Sequence, residues 1–411
     1  MKENQIKYAE LILKDCLKIQ TGQPLLITAP IEAYEFIEII VEEACKLGVE
    51  DIAFNITDAN IKHTMLKSIP LSKLKNHPYF NKEMFNDYAK KNAAFLSLAT
   101  EHPGLMEDID SKILADVRLL AADTSLVFED CRDHNLLAWC IAMVPTMSWA
   151  KVVYPNEVEP LKKLWETIFS ICQVNQPDPI KALEKKLTTT SQICDKLNAL
   201  KIKSLHYTNS KGTDLVIGLS KQSRWCSGLS HLDNGKDVLV NFPSEEVFTS
   251  PNKYQVNGIV YSSMPLLASG VTIEDFSLTF KDGKIIEIHA AKNEEVLKEI
   301  INSVKNAEYL GEAALVPYNS PIRNQETLFY TTLLDENASC HLAFGSGFTE
   351  CYEGSVELTD EEKDKIGLNT SKTHVDFMIG TEDLTIEAET YDGKIIPIFI
   401  DGNFSSEITT I

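Results

Sequence analysis

The stretch between residues 25 and 56 constrains the fold of this chain more than any other. LLITA (25–29) is a short, almost wholly apolar run of strand length. Phe36, Ile37, Ile40, Val41 and Ala44 then recur at helical spacing until Gly48 stops them. DIAFNI (51–56) follows as a second strand. Strands joined through a helix pair in parallel, because a parallel connection needs a crossover of about a dozen residues or more. The first half therefore predicts an α/β domain on a mostly parallel sheet. Upstream, Ile6, Ala9, Leu13, Cys16 and Leu17 keep a helical period, with Gly22 as the expected stop. TGQP (21–24) is no phosphate loop, since it has neither glycine-rich fingerprint and precedes its strand.

A helical stretch rich in Lys and Leu, Pro179 to Leu200, bridges the two halves. Beyond it the pattern changes to strands and tight turns. KDGK (281–284) lies between SLTF and IIEIHA as an Asp-Gly hairpin turn, and YDGK (391–394) before IIPIFI reads the same way. At 411 residues the chain exceeds one ordinary core. We expect two domains, 1–195 and 196–411. The second reads as an α+β catalytic domain rich in antiparallel strands.

Charge narrows the partners. Lys plus Arg is 39 against 60 for Asp plus Glu, a net charge of −21, which excludes phosphate-backbone and anionic-membrane binding as expectations. No apolar run is long enough to span a bilayer. The start, MKENQIKYAE, lacks an apolar signal core, so a cytoplasmic location is expected. Nine scattered cysteines without a CxxC fit reduced thiols rather than a disulfide framework. Cys340 adjoins His341, but without a spaced partner thiol no zinc–sulfur site is expected.

Four segments of the second half place Glu, His and Asp in apolar or small-residue settings. They are NFPSEEVFTSP (241–251), YLGEAALVPY (309–318), LLDENASCHLAFG (333–345) and THVDFMIG (373–380). In the last, a strand puts His374 and Asp376 on one face and Val375, Phe377 and Ile379 on the other. That pair is either a buried His–Asp hydrogen bond or two metal ligands. Glu312 heads a buried run, where a lone carboxylate needs a partner or a metal. In the third segment, Asp335 is read as capping a short helix that carries His341 and stops at Gly345, with Glu336 in its first turn. Glu336 and His341 then share no helix face. Leaving aside the capping Asp335 and Glu245, read as a solvent-facing neighbour of Glu246, the segments offer four carboxylates (Glu246, Glu312, Glu336 and Asp376) and two imidazoles, a mixed set that suits zinc, cobalt or manganese. One ion needs about four ligands, whereas two would use the whole set. No HExxH occurs.

The segments PSEEVFTSP, LGEAALVPYNSPI, TLLDENASCHLAFG and HVDFMIG resemble signatures of the metal-dependent aminopeptidases typified by aminopeptidases T and S. KYAELILKDCLKIQTGQPLLI, WCIAMVPTMSWAKVVYP and KGTDLVIGL extend the resemblance over nearly the whole chain. It implies a two-domain chain, two divalent metal ions, peptide substrates with a free N-terminus and a homodimer. Carried over by residue, it implies metal binding at Glu246, Glu312, His341, His374 and Asp376, with Glu336 also in the site. Glu312 would bridge the metals or handle the proton. Family members commonly carry a tyrosine seven residues after the motif histidine, and this chain has Phe348 there. Tyr352 is expected to supply that phenol to the oxyanion if the segment is locally helical. Two alternatives stand beside the aminopeptidase. One is a dinuclear hydrolase of another bond, such as a phosphoester. The other is a metal-binding or interaction protein weakened in catalysis, an idea fed by Phe348.

Overall fold

The structure is a computed structural model describing residues 1–74, 80–110, 112–114, 117, 126–268, 271–354 and 358–410. It divides into two compact units. The first comprises Met1–Lys186, Gly228–Ser244 and Thr327–Thr331; the second comprises Leu187–Ser227, Glu245–Glu326 and Thr332–Ile411. The first break falls between Lys186 and Leu187, inside the same bridging helix that contains residue 195 and nine residues before it. Two later segments return to the first unit, which one break in the sequence does not describe.

In the first unit, helix α1 (Lys2–Glu10) runs into a π-helical turn, Leu11–Cys16. Lys18, at φ +50°, ends the helical run before the expected stop at Gly22. Strand β1 (Leu25–Pro30) is followed by helix α2 (Tyr34–Lys46) and strand β2 (Ile52–Thr57). Gly48, at φ +85°, terminates α2, and the Val49 N–H closes onto Ala44 O. Strands β3 (Ala94–Ala99) and β4 (Trp139–Met143) complete the local series. The sheet order is β2–β1–β3–β4, and the returning strand Asn241–Phe242 adds outside β4. Every pairing is parallel. The parallel α/β expectation holds, and reversal of strand order beside β1 makes the sheet doubly wound.

Immediately after β3, burial pushes the Glu101 carboxyl up to about 7, opposed by a hydrogen bond from the Thr331 hydroxyl. A carboxyl with a raised folded pKa contributes stability that is full below its unfolded value of 4.5 and lost as pH rises through about 7. The shift bounds that loss at about 3 kcal/mol. Glu101→Gln, which keeps the neutral shape, is expected to gain stability over the parent at pH 9 and to match it near pH 4. Denaturant unfolding at both values measures this. Equal differences at the two pH values would exclude it.

The second unit begins within helix α3 (Pro179–Leu200), whose bounds match the sequence reading. Its large sheet is antiparallel and centres on Ile202–Thr208, flanked by Asp214–Gly218 and Thr385–Thr390. KDGK turns between Val271–Lys281 and Lys284–Lys292, with Asp282 and Gly283 both at positive φ, as a two-residue turn of this type requires. YDGK differs. Residues 391–394 all lie in the loop between Thr385–Thr390 and Ile395–Ile400, and of these only Gly393 has positive φ.

A second antiparallel sheet carries the acidic segments. Its strands are β5 (Cys226–Ser227), β6 (Val247–Thr249), β7 (Leu310–Leu315), β8 (His341–Gly345) and β9 (His374–Met378). They lie in the order β9–β8–β7–β6–β5. Ala313, Leu315, Leu342, Phe344, Val375 and Phe377 turn one face of this sheet into the unit's main hydrophobic core. The other face is left for chemistry.

Candidate metal centre

Strand register builds the site. On β8, Ala343 lies opposite Glu312 of β7 on one side and opposite Asp376 of β9 on the other. Gly345 lies opposite His374. Opposed residues share a sheet face, so Glu312, His341, His374 and Asp376 project together. Ala343 and Gly345 between them keep the central strand low. Gly345 also has φ +106°, and a Cβ there would meet Thr373 O at 2.1 Å. That position requires glycine.

The remaining two carboxylates come from irregular backbone. Glu246 immediately precedes β6, and Glu336 closes the short helix α4 (Thr332–Glu336). The helix expected to carry His341 therefore ends before it, and Asp335 lies inside that helix rather than capping it. His341 opens a strand. The segment HLAFG alternates, with His341, Ala343 and Gly345 toward the site and Leu342 and Phe344 toward the core.

Six side chains meet here, in three groups whose ligand atoms lie within 4.8 Å of one another. The groups are Glu246, Glu312 and His341; Glu312, His374 and Asp376; and Glu336, His341 and Asp376. His341 Nε2 is 3.1 Å from Glu246 Oε2. His374 Nε2 is 2.9 Å from Asp376 Oδ1 and 3.2 Å from Glu312 Oε2. Both rings are oriented from behind. His341 Nδ1 lies 3.0 Å from the carbonyl oxygens of Glu336 and Ser339, and His374 Nδ1 lies 2.7 Å from Ser346 O. A carbonyl only accepts, so Nδ1–H donates in each ring and Nε2 faces the group.

The electrostatics fit a cation site. Burial pushes Glu312 up to about 7, with the Asp376 charge adding to it and the His374 hydrogen bond opposing it. Burial, then the charges of Asp376 and Glu246, hold Glu336 well above the carboxylate range. Burial alone would lower both histidines, but the surrounding carboxylates carry them well above the usual imidazole value. Burial likewise opposes ionisation of Asp376, yet the His374 charge and hydrogen bond bring it to about 2. So much buried negative charge needs protons or cations to offset it. Carboxylate oxygens and imidazole nitrogens are the donors that zinc, cobalt or manganese takes.

Tyr352 does not join this group. Only Thr349–Cys351 forms a 3₁₀ turn, and Phe348 and Tyr352 on either side are extended, so the i, i+4 relation is lost. The Tyr352 hydroxyl donates to Pro251 O at 3.1 Å, and burial pushes it up to about 12. Phe348 does reach the site: its ring lies 5.1 Å from the His374 imidazole and 5.2 Å from Phe248. Tyr352→Phe is therefore expected to cost about 1 kcal/mol of stability and to change kcat less than about threefold. Phe348→Tyr is expected to raise kcat, by up to about tenfold, as a phenol is restored beside His374. Steady-state kinetics of both variants decide which position faces the reacting atoms.

The sequence reading did not single out Asn337, Ser339 or Ser346, whose carboxamide and carbonyl groups hold the ligands. Backbone carbonyls leave no trace in sequence. Asn337 had one signal, its place directly after Glu336.

Comparison with known proteins points to one family. Residues 1–404 match the family model described as thermophilic metalloprotease (M29). The chain is 37% identical to aminopeptidase AmpS of Bacillus subtilis over 400 residues, covering 97% of each. It is 36% identical to aminopeptidase 2 of Geobacillus stearothermophilus, covering 98% of each. Among solved structures, wild-type AmpT from Thermus thermophilus is similar at a TM-score of 0.90 and 30% identity, over 98% of this chain and 99% of that one.

Proposed function

We infer that this chain, which belongs to the thermophilic metalloprotease family M29, is a metal-dependent aminopeptidase that removes N-terminal residues from peptides. The convergence of Glu246, Glu312, Glu336, His341, His374 and Asp376 on one sheet face carries the mechanistic reading. Six ligands exceed the about four that one ion needs, which supports two divalent cations drawn from zinc, cobalt and manganese. Bound there, such cations supply Lewis acidity that activates water near neutral pH and polarises the scissile carbonyl.

The protein's own groups do the rest. His341 and His374 offer Nε2 because their Nδ1 protons are committed to carbonyls. Glu312 and Glu336, both buried, are the candidate proton acceptors, taking a proton from the attacking water and passing it to the leaving amine. The substrate's free α-amino group would be held by one of the cations or by a nearby carboxylate, which would confine cleavage to the N-terminus. A homodimer is carried by the family resemblance. A cytoplasmic location is supported by nine free thiols. No helix among the described residues is long and apolar enough to cross a membrane.

Three chromogenic substrates test the proposal: an aminoacyl amide, its N-acetylated form and a phosphate monoester. Turnover of the first alone is expected. Equal turnover of the acetylated amide would exclude recognition of the free amine, and preference for the phosphate ester would replace the reading.

A further inference from the structure

The six candidate ligands differ in how the backbone holds them. Glu312, His341, His374 and Asp376 stand on strands, fixed by the ladder of β7, β8 and β9. Glu246 and Glu336 do not: one precedes a strand, and the other ends a five-residue helix. Asn337 lies between these two weakly supported segments and is fully buried. Its Oδ1 accepts the Glu245 N–H at 2.6 Å. Its Nδ2 donates to Leu333 O at 2.9 Å and lies 3.5 Å from Glu336 Oε1.

We propose that Asn337 is a positioning residue for the metal centre, tying the Glu245–Glu246 backbone to the end of α4 so that both carboxylates converge with His341. The inference rests on the reading that Glu246 and Glu336 bind cations. A carboxamide suits the role because one planar group accepts at one end and donates at the other. Neither a hydrocarbon nor a hydroxyl spans both partners. Without the amide, the Glu245 N–H loses this bond in a half-buried setting, and the Glu246 loop is free to drift. Ligands held by their outer partners bind metal about ten- to a hundredfold more tightly than ligands left loose.

The test is cation affinity, measured by titrating manganese or zinc into cation-free protein against a competing chelator dye. Asn337→Ala is expected to weaken uptake about ten- to a hundredfold. Asn337→Ser, which keeps a small polar group at the buried position, is expected to show the same loss. Ser262→Ala is the control, because it deprives the Phe276 N–H of its acceptor in the same unit without removing a hydrogen bond to any of the six candidate ligands. Its affinity should stay within about threefold of the parent. Parental affinity in either folded Asn337 variant overturns the proposal, as does an equal loss in Ser262→Ala, which would mark the effect as general destabilisation. If the unmodified protein takes up no cation, the metal reading itself fails, and that failure appears before any variant is made.

Discussion

Exhaustive chelation is expected to abolish hydrolysis of aminoacyl amides, and zinc, cobalt or manganese to restore it. Deprived of cations, the site becomes a buried cluster of proton-holding groups. Glu312 and Glu336 are biased toward the neutral acid, and His341 and His374 toward imidazolium. A protonated Glu312 or Glu336 accepts no proton from water, and an imidazolium offers no lone pair. Chelation thus removes both the Lewis acid and the base. Reloading must displace those protons, so uptake should release protons and weaken as pH is lowered. Activity and metal content measured on the same samples check this. Full turnover at zero metal content would exclude the mechanism.

His374→Ala and Asp376→Ala are expected to have the next largest effect. Each removes a ligand atom from a strand whose backbone the other residues of the sheet hold in place. The five that remain still converge, but on an incomplete shell. The loss of affinity should therefore exceed the about hundredfold upper figure for an outer partner, and turnover should fall with it. Asp376→Ala carries a second consequence. It removes the carboxylate that lies 2.9 Å from His374 Nε2 and the charge that raises both Glu312 and Glu336. Those two acids should then ionise more readily. Metal analysis of the purified variants reads the first effect directly. Either variant keeping full metal content and parental turnover would remove its residue from the site.

Some of this was determined by the sequence alone. The apolar runs around α2 dictate a parallel α/β sheet, because a helix between two buried strands permits little else. The bounds of α3, the Asp282–Gly283 turn and the shared face of His374 and Asp376 all follow from local spacing. The four segments that hold the ligand-type residues also stand out, as charges and imidazoles in apolar settings, but the choice of these six rests on the resemblance to the aminopeptidase family. HLAFG was misread as helix because five residues are too few to separate a period of 2 from one of 3.6. The pairing with β7 and β9 decides it. Tertiary structure alone decides three further matters. The segment Asn241–Phe242 completes the first unit's sheet from far along the chain. The register of β7, β8 and β9 sets Glu312 and Asp376 across Ala343, and His374 across Gly345. Phe348 faces His374 while the Tyr352 hydroxyl turns to Pro251. The physical reason is common to all three. Local spacing fixes which side of its own element a residue occupies, whereas opposition across strands depends on register, which non-local pairing and packing set together.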